Sequence, residues 1–329
     1  MRARVWLTVA AFVSFVFVWP TLRDVYRELG QVLHLHPGWL LAIVGCEVAG
    51  FVSVWELQRI VLRDGRWRPI ATAQLAANAA SHVVPAGGAA GLAVQVRMLT
   101  AAGIDLTTAV SGLTATSVLG TAGLFVLPLA AVPTVLTGNR LDHRLEVAVW
   151  IGVAAFVVVA AVGTALLVAD RPVLALARFL QRVRNVSRRR HLPRTDVPTR
   201  VLAERDLIRE SLARHKLLAA FTSVSRTGFD YVALILCLGA VGAGADPAVA
   251  LVAFAASEVA GMVPFTPGGV GFVEAGLTST LILAGVHRHD AFLAVATYRV
   301  GSLGLPLVAG LVALALFGRE AEPDKVPVS

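Results

Sequence analysis

The sequence predicts an all-α integral membrane protein, with six full transmembrane helices and two re-entrant helical hairpins arranged as an inverted repeat. Three observations predict this fold class. Of the 329 residues, 57% are hydrophobic and only 15% are charged, whereas soluble domains have roughly 45–50% and about 25%. Long apolar stretches recur along the chain, and two apolar segments are interrupted by proline and glycine. The composition excludes a soluble enzyme, a disordered protein or a nucleic-acid-binding domain as the main body.

Six apolar stretches are interpreted as full transmembrane helices, which must cross about 30 Å of hydrocarbon. They lie at residues 5–19, 38–62, 106–132, 145–169, 217–241 and 291–317. The first stretch follows Arg2 and Arg4, and no small-residue cleavage site comes after it. We therefore interpret it as a retained helix and not as a signal peptide.

The positive charge is concentrated in one loop, at residues 170–216. Its segment 171–216 holds 13 Lys/Arg and 4 Asp/Glu, a net charge of +9, whereas the whole chain carries +8. Positively charged loops stay in the cytoplasm, so both termini are predicted to be cytoplasmic. Contact of the same charges with anionic lipids of the inner leaflet is a further interpretation.

Two other apolar segments have arms too short to be ordinary spans. The first has arms at 70–84 and 92–102 around a break at 85–91, and the second has arms at 248–263 and 273–286 around a break at 264–271. Proline removes a backbone donor, and glycine permits unusual backbone angles. Each segment is therefore predicted to enter and leave the membrane on one side as a re-entrant hairpin.

The two broken segments match at a constant offset of 182 residues. Pro85 aligns with Pro267, and Gly87 aligns with Gly269. The same offset carries the second span onto the fifth, and three crossings separate the copies, so their orientations are opposite. The chain is thus predicted to be a single domain, 1–329, with repeat halves at about 38–169 and 217–317. Inverted repeats of this kind point to a transporter site, and a rigid scaffold with closely packed glycines is the alternative.

A charged residue at the centre of a transmembrane helix raises the free energy of membrane insertion by about 2.5–3.5 kcal/mol or more. The apolar stretches of this chain contain several. They are Glu47, Glu56, Arg59, Arg226, Asp230, Glu258, Glu274 and Arg299. Arg226 and Asp230 are four residues apart and can pair on one helix face, for function or for structure. The residues that the 182-residue offset aligns with Glu258, Glu274 and Arg299 are uncharged. Because the repeat does not require these charges, they favour a function, and we expect Arg299 to pair with one of the two glutamates.

The half-helices that follow the breaks can direct backbone N–H groups into a cavity, where helix N-termini attract anions. Arg299 would add a positive charge there, and Asn78 could supply hydrogen bonds. The sequence therefore predicts a site for a phosphate-bearing lipid headgroup. The candidate substrate-binding residues are Asn78, Pro85, Gly87, Gly88, Arg226, Asp230, Glu258, Pro267, Gly268, Gly269, Gly271, Glu274 and Arg299.

The sequence carries no motif for a familiar catalytic centre. We find no His-Glu-x-x-His zinc motif, no Gly-x-Ser-x-Gly elbow and no Walker loop. We therefore expect no catalytic residues, no metal and no cofactor. The two cysteines, Cys46 and Cys237, lie in apolar stretches and are expected to be packing residues.

One run of residues carries a family resemblance. The run 258–274 contains Pro-Gly-Gly-Val-Gly-Phe-Val-Glu, and it resembles the transmembrane region of lysylphosphatidylglycerol synthases, also called the flippase-like domain family. The Pro85-x-Gly-Gly segment is similar to that family's first motif. The resemblance implies lipid translocation or lipid handling in a bacterial-type inner membrane. In the family's two-part members a soluble aminoacyl-transfer domain follows the membrane domain. We expect that domain to be absent here, because the chain ends at Ser329, so the resemblance does not imply synthesis of an aminoacyl lipid.

The predicted function is therefore that of a lipid flippase or transporter-like protein, not an enzyme. Its partners are membrane lipids, of anionic phospholipid or isoprenoid-linked type, and no nucleic acid. A non-transporting scaffold that docks a soluble partner through the basic loop is one alternative. An intramembrane lipid-modifying enzyme is another, disfavoured because the catalytic motifs are missing.

Overall fold

A computed structural model of the chain describes residues 36–83, 87–137, 143–169, 171, 196–261 and 272–320. Within these ranges the protein is all-helical, joined by short turns and without strands. In chain order the helices are α1 (Pro37–Leu62), α2 (Trp67–Val83), α3 (Gly87–Ala101), α4 (Leu106–Leu124), α5 (Val126–Leu136), α6 (His143–Val168), α7 (Asp196–Arg214), α8 (Lys216–Ala240), α9 (Pro247–Gly261), α10 (Phe272–Leu283), α11 (Arg288–Arg299) and α12 (Leu305–Glu320). A π-helical turn, Val300–Gly304, joins α11 to α12.

Four helical stretches of the described residues are long and apolar enough to cross a membrane. They are Pro37–Leu62, Leu106–Leu136, His143–Ala165 and Arg288–Phe317, and they coincide with four of the six predicted spans. The predicted span 5–19 lies outside the described residues. Helix α8, at the position of the remaining predicted span, has 25 residues. Arg226 and Asp230 lower its mean hydropathy, and it is not among these four stretches.

Four helices that are not part of a longer helical stretch are too short to cross a bilayer. Helices α2 and α3 have 17 and 15 residues, and α9 and α10 have 15 and 12. At 1.5 Å per residue these lengths reach only ~18–26 Å, against ~30 Å of hydrocarbon. Within each pair the two helices pack against each other. Residues 84–86 and 262–271 lie outside the described part of the chain, and with them the candidate residues Pro85, Pro267, Gly268, Gly269 and Gly271.

Helices α3 and α10 end with the same backbone geometry. Gly103 and Gly285 have φ of +91° and +89°, in the left-handed region that favours glycine. The next residue, Ile104 or Val286, donates its N–H to the carbonyl five residues earlier, at 3.1 and 3.0 Å. Both of these residues are buried, as the hydrophobic residue of a Schellman cap usually is.

Among the described helices, α1 and α8 form the most extensive contact. Ala233, Leu234 and Leu238 of α8 are fully buried there. In contrast, Val157 and Val158 of α6 are 59% and 61% exposed. An exposed apolar face of a long apolar helix is suited to contact with lipid, and this face of α6 has that character.

Helix α7, from the predicted basic loop, packs against α1 and α4. Glu204 accepts a hydrogen bond from Arg63 at 2.8 Å and from the hydroxyl of Thr108 at 3.1 Å. The hydroxyl of Ser211 donates to the carbonyl oxygen of Ile60 at 2.7 Å. This part of the loop is therefore fixed to the ends of two membrane helices.

The turn between α1 and α2 contains an ion pair outside the membrane-spanning segments. Arg66 donates to Asp64 through Nη2 at 2.6 Å and through Nε at 3.0 Å. Its Nη1 also donates to the carbonyl oxygen of Ala102, at the end of α3. These hydrogen bonds from Arg66 hold the pKa of the Asp64 carboxyl below its ordinary value.

We expect Asp64→Asn to lower the melting temperature at pH 7, because the charged pair with Arg66 is lost. A carboxyl whose pKa is lowered by folding contributes stability above its unfolded pKa, about 3.9. That contribution disappears as the pH falls through the folded pKa. Thermal unfolding in detergent from pH 7 to pH 3 tests this, and a difference between the two proteins that does not shrink with pH would contradict it.

Candidate functional site

Arg226 of α8 lies between two carboxylates at membrane depth. Its Nε is 3.1 Å from Asp230 Oδ2, which is the pairing that the i, i+4 spacing predicts. Its Nη2 is 3.6 Å from Oε2 of Glu47 on α1. Glu47 is only 2% exposed, and neither of its carboxylate oxygens accepts a hydrogen bond within the described residues.

The surrounding residues of α1 are shaped to hold this guanidinium. Gly50 provides the space, because a Cβ there would lie 3.2 Å from Arg226 Nη1. The guanidinium carbon lies 4.4 Å from the ring centroid of Phe51, in cation–π contact. Within the π-helical turn, a Cβ on Gly301 would lie 3.6 Å from Cγ of Glu47. Small residues thus let three helical segments close around the ion pair.

A second ion pair joins α10 to α11. Arg299 Nε lies 3.1 Å from Glu274 Oε1, and the two side chains are 13% and 17% exposed. Of the two glutamates expected to partner Arg299, the structure brings Glu274 into contact. Glu274 stands in the first turn of α10, where the helix dipole favours a carboxylate. Arg299 immediately precedes the π-helical turn, a rare geometry that is frequent at functional sites.

The two ion pairs belong to one electrostatic cluster. Glu258, near the end of α9, interacts with Asp230, Arg299 and Arg226, and Glu47 interacts with Arg299 as well as with Arg226. We call the set the charged cluster; its members are Glu47, Arg226, Asp230, Glu258, Glu274 and Arg299. With every carboxylate ionised its formal charge is −2, because four carboxylates face two guanidiniums. Charged groups at membrane depth are rare and pair with one another, and among the described residues the cluster holds more carboxylates than guanidiniums.

The end of α2 approaches the charged cluster from the first half of the chain. Nδ1 of His82 lies 2.8 Å from the carbonyl oxygen of Asn78, and the His82 ring interacts electrostatically with Arg299 and Glu274. His82, just before the first predicted break, is therefore near Glu274, just after the second, and near its partner Arg299. Gly87, at the start of α3, packs against the carbonyl oxygen of Ser81.

A neutral polar cavity of about 320 Å³ lies among α1 to α4. Its polar lining residues are Gln58, Gln74, Asn78, Ser81, Gln95, Thr116 and Ser117, and Gly88 also lines it. Gln58 and Gln95 are not among the residues predicted from the sequence, nor is Gln74. Each is a single polar residue in an apolar stretch, and only the packing of three helices brings the three together.

Arg59, Glu56 and the two cysteines lie outside the charged cluster, and their contacts are those of packing and local pairing. Arg59 pairs with Glu56 at 2.7 Å and stacks over Trp67, near the cytoplasmic end that the sequence predicts. Cys46 and Cys237 are free thiols, and Cys237 is fully buried. No group of three or more metal-binding side chains is assembled among the residues that the structure describes.

The fold and the site define the class of the protein: an all-α, multi-pass membrane protein with charged groups enclosed between its helices. Residues 5–310 match the family described as Lysylphosphatidylglycerol synthase TM region. The chain belongs to this family, which confirms the resemblance carried by the run 258–274. Among curated proteins and solved structures there is no match to the chain.

Proposed function

We propose that the protein moves a phospholipid or isoprenoid-linked lipid across the membrane and is not an enzyme. The observation that carries the proposal is the charged cluster, whose members lie on α1, α8, α9, α10 and α11. Ionisable groups inside a membrane domain mark substrate or ion pathways more often than they serve packing. The family is named after a synthase of lysylphosphatidylglycerol, which makes a lipid substrate the natural expectation.

The proposed architecture is an inverted repeat with six spans, including 5–19 and α8, and two re-entrant hairpins. Its support is the short length of α2, α3, α9 and α10 and the matching caps at Gly103 and Gly285. Equivalent contacts also occur in both halves, since α2 packs against α12 and α9 packs against α5. The basic loop supports a cytoplasmic location of both termini in this proposal, and the proposed membrane is a bacterial-type inner membrane.

The proposed substrate group is the lipid phosphate, and Arg299 is its proposed ligand. Since Arg299 already pairs with Glu274, a phosphate must share the guanidinium with that carboxylate or displace it. Entry of a phosphodiester would add one negative charge to a cluster that already has an acidic excess.

We expect Arg299→Gln and Glu274→Gln each to slow lipid movement roughly tenfold or more, since a hydrogen bond to a charged group contributes about 1.5–3 kcal/mol. The measurement is transbilayer movement of fluorescent phosphatidylglycerol in proteoliposomes of the full chain. Arg214→Gln is the matched control, because Arg214 pairs with Glu210 at the surface, where both side chains are at least 65% exposed. It should leave the rate unchanged.

A charge-swapped protein, Glu274→Arg with Arg299→Glu, separates substrate binding from structural pairing. The swap retains the attraction between α10 and α11 but moves the guanidinium to the other helix. We expect the swap to retain the fold, measured by thermal unfolding, without restoring lipid movement. Full recovery of lipid movement would mean that the pair is structural and would overturn the assignment of Arg299.

A further inference from the structure

The neutral cavity among α1 to α4 contains no charged side chain within the described residues. The Ser and Thr hydroxyls that line the cavity already donate hydrogen bonds to backbone carbonyl oxygens of their own helices. Thr116 donates to the carbonyl oxygen of Gly112 at 3.0 Å, Ser117 to Leu113 at 3.0 Å, and Ser81 to Asn78 at 2.8 Å. The hydroxyl oxygens remain as acceptors for whatever occupies the cavity.

The three glutamines are oriented by one another. Gln58 Nε2 and Gln95 Nε2 both donate to Oε1 of Gln74, at 2.6 and 2.7 Å. Gln58 and Gln95 are buried, whereas Gln74 is only partly buried. Within the described residues the Gln74 Nε2 group donates no hydrogen bond, so its N–H groups are available to the cavity, as is the side-chain amide of Asn78.

The lining therefore offers both donors and acceptors but no formal charge. A hydroxyl group both donates and accepts, so several neighbouring hydroxyls can satisfy such a lining. A phosphate or an ammonium group would lack a countercharge here. The volume of about 320 Å³ corresponds to about ten waters at ~30 Å³ each. That space is sufficient for a polyol the size of glycerol or a single sugar.

We propose that this cavity binds a polyhydroxyl group, supplied by the headgroup of the transported lipid. The lipid source of the group depends on the function proposed above. Ser81 lines the cavity, and its neighbour His82 interacts with Arg299 and Glu274. The end of α2 thus adjoins both a polyol at the cavity and a phosphate at Arg299. The positions that the 182-residue offset aligns with Gln74, Asn78 and Gln95 are apolar, namely Ala256, Ala260 and Leu277, so the second half has no such amides.

Two lipids separate the polyol contribution from that of the phosphate. Phosphatidylglycerol and phosphatidylethanol each carry one phosphodiester charge, but only phosphatidylglycerol has free hydroxyls. We expect the purified full chain to bind phosphatidylglycerol roughly tenfold more tightly, as two net hydrogen bonds would produce. Native mass spectrometry of the detergent-solubilised protein, titrated with each lipid, measures the two affinities.

Gln74→Met and Asn78→Leu should each reduce this preference to near unity by removing hydrogen-bonding groups from the cavity. Thr72→Val is the matched control on the same helix, because the Thr72 hydroxyl bonds to Arg68 and does not line the cavity. It should retain the full preference. Equal affinities of the unmodified chain for the two lipids would overturn the proposal, as would a preference that survives both cavity variants.

Free glycerol distinguishes the two sources of the polyol. If millimolar glycerol protects the protein thermally and displaces phosphatidylglycerol, the cavity takes a soluble polyol, and the assignment to a lipid headgroup is overturned. Absence of competition supports the lipid. If the protein prefers phosphatidylglycerol but does not move lipid across the bilayer, the proposed function is contradicted and this inference is not. If it moves both lipids equally and binds them with equal affinity, this inference is contradicted and the proposed function is not.

Discussion

Replacing Arg226 with methionine is expected to destabilise the protein by about 3–5 kcal/mol, the usual cost of removing one partner of a buried ion pair. Methionine can fill the space of the aliphatic part of the side chain, but it supplies no charge. Glu47 and Asp230 would then face each other without the guanidinium that lies between them. Thermal or denaturant unfolding of the protein in detergent or nanodiscs measures the loss.

A second variant tests whether unpaired charge is the cause. Arg226→Met combined with Glu47→Gln and Asp230→Asn removes all three charges, and it should recover most of the stability. Arg214→Met is the control for an exposed pair and should cost about 0.5 kcal/mol or less. If the Arg226→Met protein had the same unfolding free energy as the unmodified chain, Arg226 would not stabilise Glu47 and Asp230 in the folded protein, and the prediction would be wrong.

The pairing of Glu47 with Arg226 shows where inference from the sequence ends. Arg226 with Asp230 is predictable, because the spacing of four residues places both on one helix face. Glu47 is recognisable only as a charge at membrane depth. The helix bounds explain the difference, because α1 begins at Pro37 and α8 at Lys216, an offset of 179 and not 182. If the two halves are a repeat, Glu47 and Arg226 occupy equivalent positions at an offset of 179, and these positions are in contact where α1 and α8 pack.

The change of offset has a local cause in the turns that follow α1 and α8. The left-handed residues Arg63 and Gly242 also differ by 179, whereas Gly103 and Gly285 differ by 182. The turn after α8 is therefore longer than the turn after α1, and a single ungapped offset cannot describe both parts. The prediction that 182 carries the second span onto the fifth stays a prediction, and the starts of α1 and α8 correspond at 179 instead.

The cavity could not be predicted because its amides come from three helices. Gln58, Gln74 and Gln95 share no spacing that would place them on one face, and each is compatible with an ordinary solvated position. Their meeting depends on the packing of α1, α2 and α3. The two halves of the chain therefore contribute different polar side chains. The first half provides the neutral amides of the cavity, and the second half provides most members of the charged cluster. This division is consistent with a bipartite headgroup and would not be needed for a symmetric scaffold.

Gly123→Ala is expected to destabilise the protein by about 1–3 kcal/mol, as overpacking of an interior does. Gly123 lies in α4 against α8, and a Cβ there would overlap the carbonyl oxygen of Ser223. A backbone atom cannot rotate away as a flexible side chain can, so the two helices would have to separate. Close approach through small residues is a general means of packing membrane helices.

Gly120→Ala, three residues earlier on the same helix, is the matched control. Nothing lies within 4 Å of a Cβ at Gly120, so alanine should stabilise α4 by about 0.5–1 kcal/mol through its better helix propensity. The two substitutions should therefore shift the melting temperature in opposite directions, although their chemistry is identical. Equal shifts would mean that α4 and α8 are not in contact at Ser223. Arg226 lies three residues after Ser223 on α8. Such a result would therefore also contradict the helix packing that positions its guanidinium next to Glu47.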